Sequence, residues 1–310
     1  MAYSLKEIND AIRTDPAAFV AECDNAYQKK IESAAKKIAG HRDQSHIILL
    51  SGPSGSGKTT TAMKIEEVLD GAGIETHTVS MDDYFLSVDP ETAPRNREGG
   101  IDYESPFCLD IELLNRHFAM LDRGETIHVP KYEFARQIRS ATMTHPLRLG
   151  KDELAIFEGI HALNDVITGK NPNAFKLYIA ARSNVVDEEG KVVFQHAWLR
   201  LVRRIVRDAK FRGSDAAFTI RLWPNVRRGE KLYISPYKEN ADLMFDSSLP
   251  YELSVLKPFV VPMLEALPRG KYEVADEMLR AFDSIEPLEE KYVAPRSLVR
   301  EFIGGSDYAY

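Results

Sequence analysis

Cysteine is nearly absent from this chain: Cys23 and Cys108 are the two among 310 residues. Two thiols exclude a disulfide-stapled fold and a cysteine-built zinc site, and they fit a reducing compartment. Long apolar runs are missing as well. No window approaches the roughly 18 consecutive apolar residues of a spanning helix. The opening MAYSLKEINDAIRTD carries acids where a leader would carry its apolar segment. The expectation is a cytoplasmic protein with no membrane partner. Excess positive charge is the third absence: 40 Lys and Arg stand against 47 Asp and Glu, a formal charge of −7. That balance argues against a nucleic-acid partner. What remains, 44% hydrophobic and 28% charged residues, suits one large α/β domain with additions.

Periodicity divides the chain into an N-terminal helical arm (1–45), a core (46–256) and a C-terminal helical extension (257–310). The arm places Phe19, Val20, Cys23, Tyr27, Ile31 and Ala34 at helical spacing, and is expected either to pack on the core or to mediate homo-oligomer formation. In the core, HIILL reads as a buried parallel strand, followed by a helix over 58–69. Further strands are expected to end near Met81, Phe157, Ala181 and Asp246, with helices over 109–124 and 196–213. Alternating strands and helices predict a three-layer α/β fold with a mostly parallel central sheet. Residues 83–107 break the rhythm with prolines and paired glycines, and 183–195 suggest a small β-hairpin.

The segment GPSGSGKTT, Gly52 to Thr60, directly follows the first strand. It fits G-x-x-x-x-G-K-[ST], a loop whose glycines let backbone amides converge on phosphate oxygens at a helix start. Gly52, Pro53, Ser54, Gly55, Ser56, Gly57, Lys58, Thr59 and Thr60 are the expected nucleotide-binding residues. Lys58 would reach the β- and γ-phosphates and the Thr59 hydroxyl would hold Mg²⁺. The three-layer fold is thus expected to be that of phosphate-loop (P-loop) NTPases. The loop alone leaves open a hydrolase, an NTP-driven switch and a kinase.

Two carboxylate positions bear on that choice. VSMDDYF puts Asp82 and Asp83 just past a strand end, where an α/β sheet faces its ligand crevice. A carboxylate there can take a proton from an acceptor hydroxyl or help hold the metal. AIFEG repeats the arrangement with Glu158, a candidate for the Mg²⁺ shell. Arg200, Arg203, Arg204 and Arg207 recur on one helix face. They are expected to form a basic lid (196–230) over the triphosphate. Arg203 and Arg207 would then be solvent-facing and matter to turnover more than to folding.

Together GPSGSGKTT, MDDYF, IDYESPFCLD, VPKYEF, AIFEGIHAL, RRIVRDAKFRG and KENADLMF make the chain resemble the uridine kinase and phosphoribulokinase family over about residues 46–247. The resemblance implies transfer of a phosphoryl group from ATP or GTP to the 5′-hydroxyl of a pyrimidine ribonucleoside, the small-molecule partner, with Mg²⁺ as cofactor. It puts the base at Asp82 and the aromatic pair of the acceptor pocket at Tyr84 and Phe85. It also puts a ribose-holding acid at Glu104, a base contact at Tyr132 and a sugar contact at Arg200. Arg203, Arg204 and Arg207 fall on the lid arginines near the phosphates, Arg203 and Arg207 counted as catalytic and Arg204 as nucleotide-binding. Gln137 stands where the family carries a histidine, and Arg139 joins it among the acceptor residues. YESP in place of the family's F-D-H-P leaves the acceptor open between a pyrimidine nucleoside, another nucleoside and a phosphorylated sugar.

Overall fold

The computed structural model describes residues 2–134 and 136–309. The chain begins with β1 (Ala2–Ser4), α1 (Leu5–Thr14) and α2 (Pro16–Ala39). The core follows with β2 (Ile47–Ser51), α3 (Lys58–Gly71), β3 (Thr76–Ser80), α4 (Ile111–Asp122), β4 (Ile127–Glu133), β5 (Ile138–Leu147) and β6 (Leu154–Glu158). Next come α5 (Asp165–Thr168), β7 (Phe175–Ala180), β8 (Asn184–Val186), β9 (Val192–Phe194), α6 (His196–Phe211), α7 (Ala216–Gly229) and β10 (Leu243–Asp246). The last helices are α8 (Glu252–Glu265), α9 (Glu273–Asp283) and α10 (Arg300–Ile303). Among the described residues no helix is long and apolar enough to cross a membrane.

The central sheet runs β10-β7-β2-β6-β3, parallel throughout. Both faces are covered, so β2 reads IILLS without a polar break. Its side chains alternate between two cores. Ile48 and Leu50 pack with Tyr27, Ile65, Val202, Leu256 and Phe302, while Ile47 and Leu49 pack with Leu114, Phe118 and Phe157 on the other face. Three layers result, with α2 and α8–α10 thickening one of them. Parallel pairing also brings the carboxyl ends of β2, β3 and β6 side by side: Leu50 and Ser80 both lie opposite Glu158.

Two small sheets flank this core. The expected hairpin is β8–β9, and β1 adds a third strand to it by pairing parallel with β8. The antiparallel β4–β5 pair was not expected from the sequence, because β5 is largely exposed and polar and Pro130 and Pro146 lie within the strands. Helix starts follow local chemistry: Asp15, Asp110 and Asp215 cap α2, α4 and α7 through their side chains. At α3 the cap is Gly57, at φ 79°, with no side chain to occupy the first amides.

Candidate active site

The loop between β2 and α3 is held from outside by its carbonyls. Arg200 Nε donates to Ser54 O at 3.0 Å, and Arg203 Nη1 to Gly55 O at 3.0 Å. Ser247 Oγ donates to Ser56 O at 2.5 Å, and Lys58 Nζ to Pro53 O at 3.4 Å. A peptide's N–H opposes its C=O, so anchoring the carbonyls outward presents the amide edge inward, as anion binding requires. Gly52 is needed for a close approach: a Cβ there would stand 2.0 Å from Ile179 O of β7.

Beside the loop lies a charge cluster, buried at Glu158 and partly buried at Lys58, Asp82 and Glu301. Glu158 Oε1 accepts from Thr59 Oγ1 at 3.4 Å and from Ser80 Oγ at 3.3 Å. Burial pushes the Glu158 carboxyl up to about 7, with Lys58 opposing and Asp82 and Glu301 adding to the rise. Asp82 is likewise raised, chiefly by burial and against the pull of Lys58. Lys58 is lowered by burial, and Glu158, Asp82 and Glu301 counter that fall. Two carboxylates and a hydroxyl thus converge where burial disfavours their negative charge. This oxygen donor set suits a hard divalent cation such as Mg²⁺, which would restore the ionised forms.

Asp82 and Asp83 part company as neighbouring side chains do. Asp83 pairs with Lys131 Nζ at 3.1 Å and accepts from the Tyr132 amide at 3.2 Å, tying β4 to the end of β3. Beyond that tie opens a cavity of about 240 Å³ lined by Phe85, Tyr103, Phe107, Tyr132, Phe134 and Gln137, among others. Phe85 and Tyr132 stand 5.5 Å apart between ring centres, and Tyr132 and Phe134 stand 5.0 Å apart. Gln137 sits at the hairpin turn in a left-handed conformation, φ 54°.

Several expected site residues stand elsewhere. Tyr84 is not on the cavity wall: it is fully buried, with its hydroxyl 2.8 Å from His117 Nδ1 and its ring against Phe157. Aromatic neighbours in a short 3₁₀ turn cannot face the same way. Arg139 donates to Asp110 and to Tyr84 O, both at 2.8 Å, bracing the turn from below. Arg200 is 2% exposed, bonded to Glu230 at 2.9 Å and laid over Trp223 at 5.4 Å, so its guanidinium meets protein rather than a sugar. Arg203 is 0% exposed and forms a two-pronged pair with Glu252, itself 0% exposed. The expected solvent-facing lid is therefore corrected at these two positions, and at Arg207, whose side chain is 13% exposed. The face of α6 that carries Arg200 and Arg203 is buried between the loop and α8, because the loop's carbonyls and Glu252 need donors there.

Arg204 remains at the loop, donating to Ser54 Oγ at 2.5 Å, and burial draws it down to about 10. Arg207 pairs with Asp208 at 2.8 Å and its charge bears on Asp82. Glu104 packs against Gly229 of α7, and burial lifts its carboxyl to about 7. Two neighbours were not singled out from the sequence. Asp102, 2% exposed, accepts from Arg228 at 2.6 Å and Tyr233 at 2.9 Å. His161 is 1% exposed, and burial holds it neutral, down to about 4. Each sits inside a motif already quoted, IDYESP or IFEGIHAL, but only folding brings them together.

A nucleotide loop, a carboxylate pair at parallel strand ends and an adjoining cavity are the parts of a phosphate-loop phosphotransferase. Comparison with known proteins gives the family. Residues 47–253 match the family described as "Phosphoribulokinase / Uridine kinase family". A uridine kinase of Staphylococcus epidermidis is 29% identical over 203 residues, covering 65% of this chain and 87% of that one. A uridine kinase of Deinococcus deserti is 28% identical over 199 residues, covering 64% and 86%. Among solved structures, a Silicibacter sp. protein provisionally described as a fructose transport system kinase aligns over 69% of this chain and 98% of its own. That alignment has a TM-score of 0.50 at 20% identity, a likeness of fold. The chain belongs to the phosphoribulokinase / uridine kinase family. It is a P-loop kinase acting on a small organic substrate, and family membership implies dependence on ATP or GTP with Mg²⁺.

Proposed function

We propose that the protein transfers the γ-phosphoryl of ATP or GTP to the 5′-hydroxyl of a pyrimidine ribonucleoside. The observation that carries this reading is the aromatic cavity, tied through Asp83 to the strand end that bears Asp82. Phe85, Tyr132 and Phe134 offer faces and edges for a planar base. Gln137 offers both a donor and an acceptor to it, which fits weak discrimination between uracil and cytosine. Glu104 is the candidate for the ribose hydroxyls.

In this reading the loop amides and Lys58 hold the donor phosphates, and Arg204 and Arg207 supply positive charge beside them. Asp82 accepts the proton of the acceptor hydroxyl as it attacks. Its raised pKa makes it a stronger base than an exposed aspartate while leaving it ionised once cationic charge is restored nearby. Thr59 and Glu158, with Asp82 adjoining, would hold Mg²⁺. When bound, the ion neutralises charge on the phosphates. Arg200 and Arg203 contribute by keeping the loop in shape.

The test is incubation with ATP·Mg²⁺ and a panel of nucleosides, sugars and sugar phosphates, with products identified by mass. Uridine and cytidine should each gain one phosphoryl group, and Lys58→Met protein should be silent in the same assay. Phosphorylation of a sugar phosphate alone, with both nucleosides untouched, would overturn the acceptor assignment.

A further inference from the structure

Both terminal extensions lie outside the residues that match the family, 47–253. Both nevertheless end on the first turn of α3. From the N-terminal side, Tyr27 of α2 stands 2.7 Å from Thr61 Oγ1, and Thr61 donates to Gly57 O at 2.7 Å. With the Thr61 proton committed to Gly57, the Tyr27 hydroxyl is the donor in the first contact. A relay thus runs from the arm to the carbonyl of the residue that caps α3.

From the C-terminal side, Thr60 Oγ1 donates to Glu301 Oε2 at 2.6 Å. Leu298 covers Gly57 so closely that a Cβ there would stand 2.4 Å from Leu298 Cδ1. The segment bearing these residues is firmly seated. Ser297 bonds Tyr251 at 2.7 Å, and Lys210 donates to Ile303 O. Phe302 lies under the guanidinium of Arg203, 5.1 Å from its ring centre, and Arg203 is the residue that holds Gly55 O.

These contacts grip the first turn of α3, which starts without a side-chain cap and where the amides of Lys58 and Thr59 face an incoming anion. A cradle held in its binding shape avoids an ordering cost when an anion arrives, whereas a loose one bears it. We propose that the terminal extensions are working parts of the donor site, with Glu301 and Tyr27 as positioning residues for the first turn of α3. The proposal rests on the kinase reading above and adds to it residues that the family match does not span.

The experiment is calorimetric titration of the full chain with ATP·Mg²⁺, comparing wild type with Glu301→Ala, Glu301→Gln, Tyr27→Phe and Thr60→Val. Glu301→Ala should weaken ATP binding about tenfold, equivalent to roughly 1.4 kcal/mol. Glu301→Gln still accepts the Thr60 proton and should stay within about threefold of wild type. Tyr27→Phe, which removes one oxygen from a buried ring, should weaken binding about threefold or more. The pair Thr60→Val and Glu301→Ala should be no worse together than the weaker single variant, because both remove one contact. Melting temperatures taken alongside keep a folding defect apart from a binding one. Wild-type affinity in both Glu301→Ala and Tyr27→Phe, or Glu301→Gln binding as poorly as Glu301→Ala, would overturn the inference alone. A wild-type protein that binds neither ATP nor GTP would overturn the kinase reading and this inference with it.

Discussion

Replacing Arg203 with Met gives the sharpest test of how α6 works. The substitution keeps much of the side chain's bulk and removes its charge and its donors. It strands Glu252, whose carboxylate is 0% exposed and receives both prongs of the guanidinium. Breaking a buried pair by deleting one partner costs about 3–5 kcal/mol. Gly55 O and Ser247 O each lose a donor as well. These losses belong to one network and do not add, so a total near 4 kcal/mol is the working figure. At about 2 °C per kcal/mol for a chain of this size, the melting temperature should fall by about 8 °C. Burial raises the Glu252 carboxyl and Arg203 opposes that rise. With Arg203 gone the carboxyl is raised further, so the deficit should shrink as pH falls and Glu252 takes up a proton. Arg203→Met combined with Glu252→Gln should recover part of the loss. Thermal unfolding followed by circular dichroism at pH 5 and pH 8 measures all of this. A melting temperature within about 2 °C of wild type at pH 8 would refute the reasoning and restore the solvent-facing lid expected from the sequence.

Other expectations concern the acceptor side. Asp82→Asn should lower kcat about 100-fold or more at saturating substrates, and Asp83→Asn far less, because Asp83 is engaged with Lys131 and the Tyr132 amide. The reverse order in steady-state rates would show that the two acids have been exchanged. Glu104 has its folded pKa raised from 4.5 to about 7. Its contribution to stability is therefore full below the ordinary value and lost as pH rises through 7, by at most roughly 3 kcal/mol. Wild type should thus lose melting temperature relative to Glu104→Gln between pH 5 and pH 8, and parallel curves would count against a desolvated Glu104 carboxyl. Tyr84→Phe should cost about 1 kcal/mol through the bond to His117 and leave acceptor KM unchanged. Phe85→Ala should raise acceptor KM instead, and a KM effect from Tyr84→Phe alone would exchange their places.

The parts of this molecule legible in its sequence are those in which local pattern and global fold agree. HIILL has to be a buried parallel strand because nothing polar interrupts it, and the glycine loop announces itself by spacing. Directions were harder to read. Arg200 and Arg203 share a helix face with Arg204 and Arg207, and helical spacing alone cannot say whether that face meets solvent, phosphate or carboxylate. Their partners Glu230 and Glu252 lie 30 residues beyond Arg200 and 49 beyond Arg203. Tyr84 and Phe85 are adjacent aromatics, and only the 3₁₀ geometry decides which is core and which is wall. The β4–β5 pair escaped notice because an exposed, polar strand lacks the alternation that marks a half-buried one. Asp102, His161, Glu301 and Leu298 stayed invisible for one reason: each acts through residues far away in the chain.

The contact between Arg200 and Trp223 has an optical consequence. The chain has two tryptophans. Trp223 is 8% exposed beneath the guanidinium that also holds Ser54 O, so its indole is coupled to the phosphate loop through one intervening side chain. Trp198, in the first turn of α6, stands edge-on to Phe194 of the hairpin sheet, 5.5 Å between ring centres. The protein therefore carries one emitter directly under a charge that any rearrangement of the loop must shift, and a second whose ring packs on Phe194 instead. In a Trp198→Phe background the intrinsic fluorescence becomes a label-free signal of loop occupancy, readable on the millisecond scale without modifying nucleotide or protein.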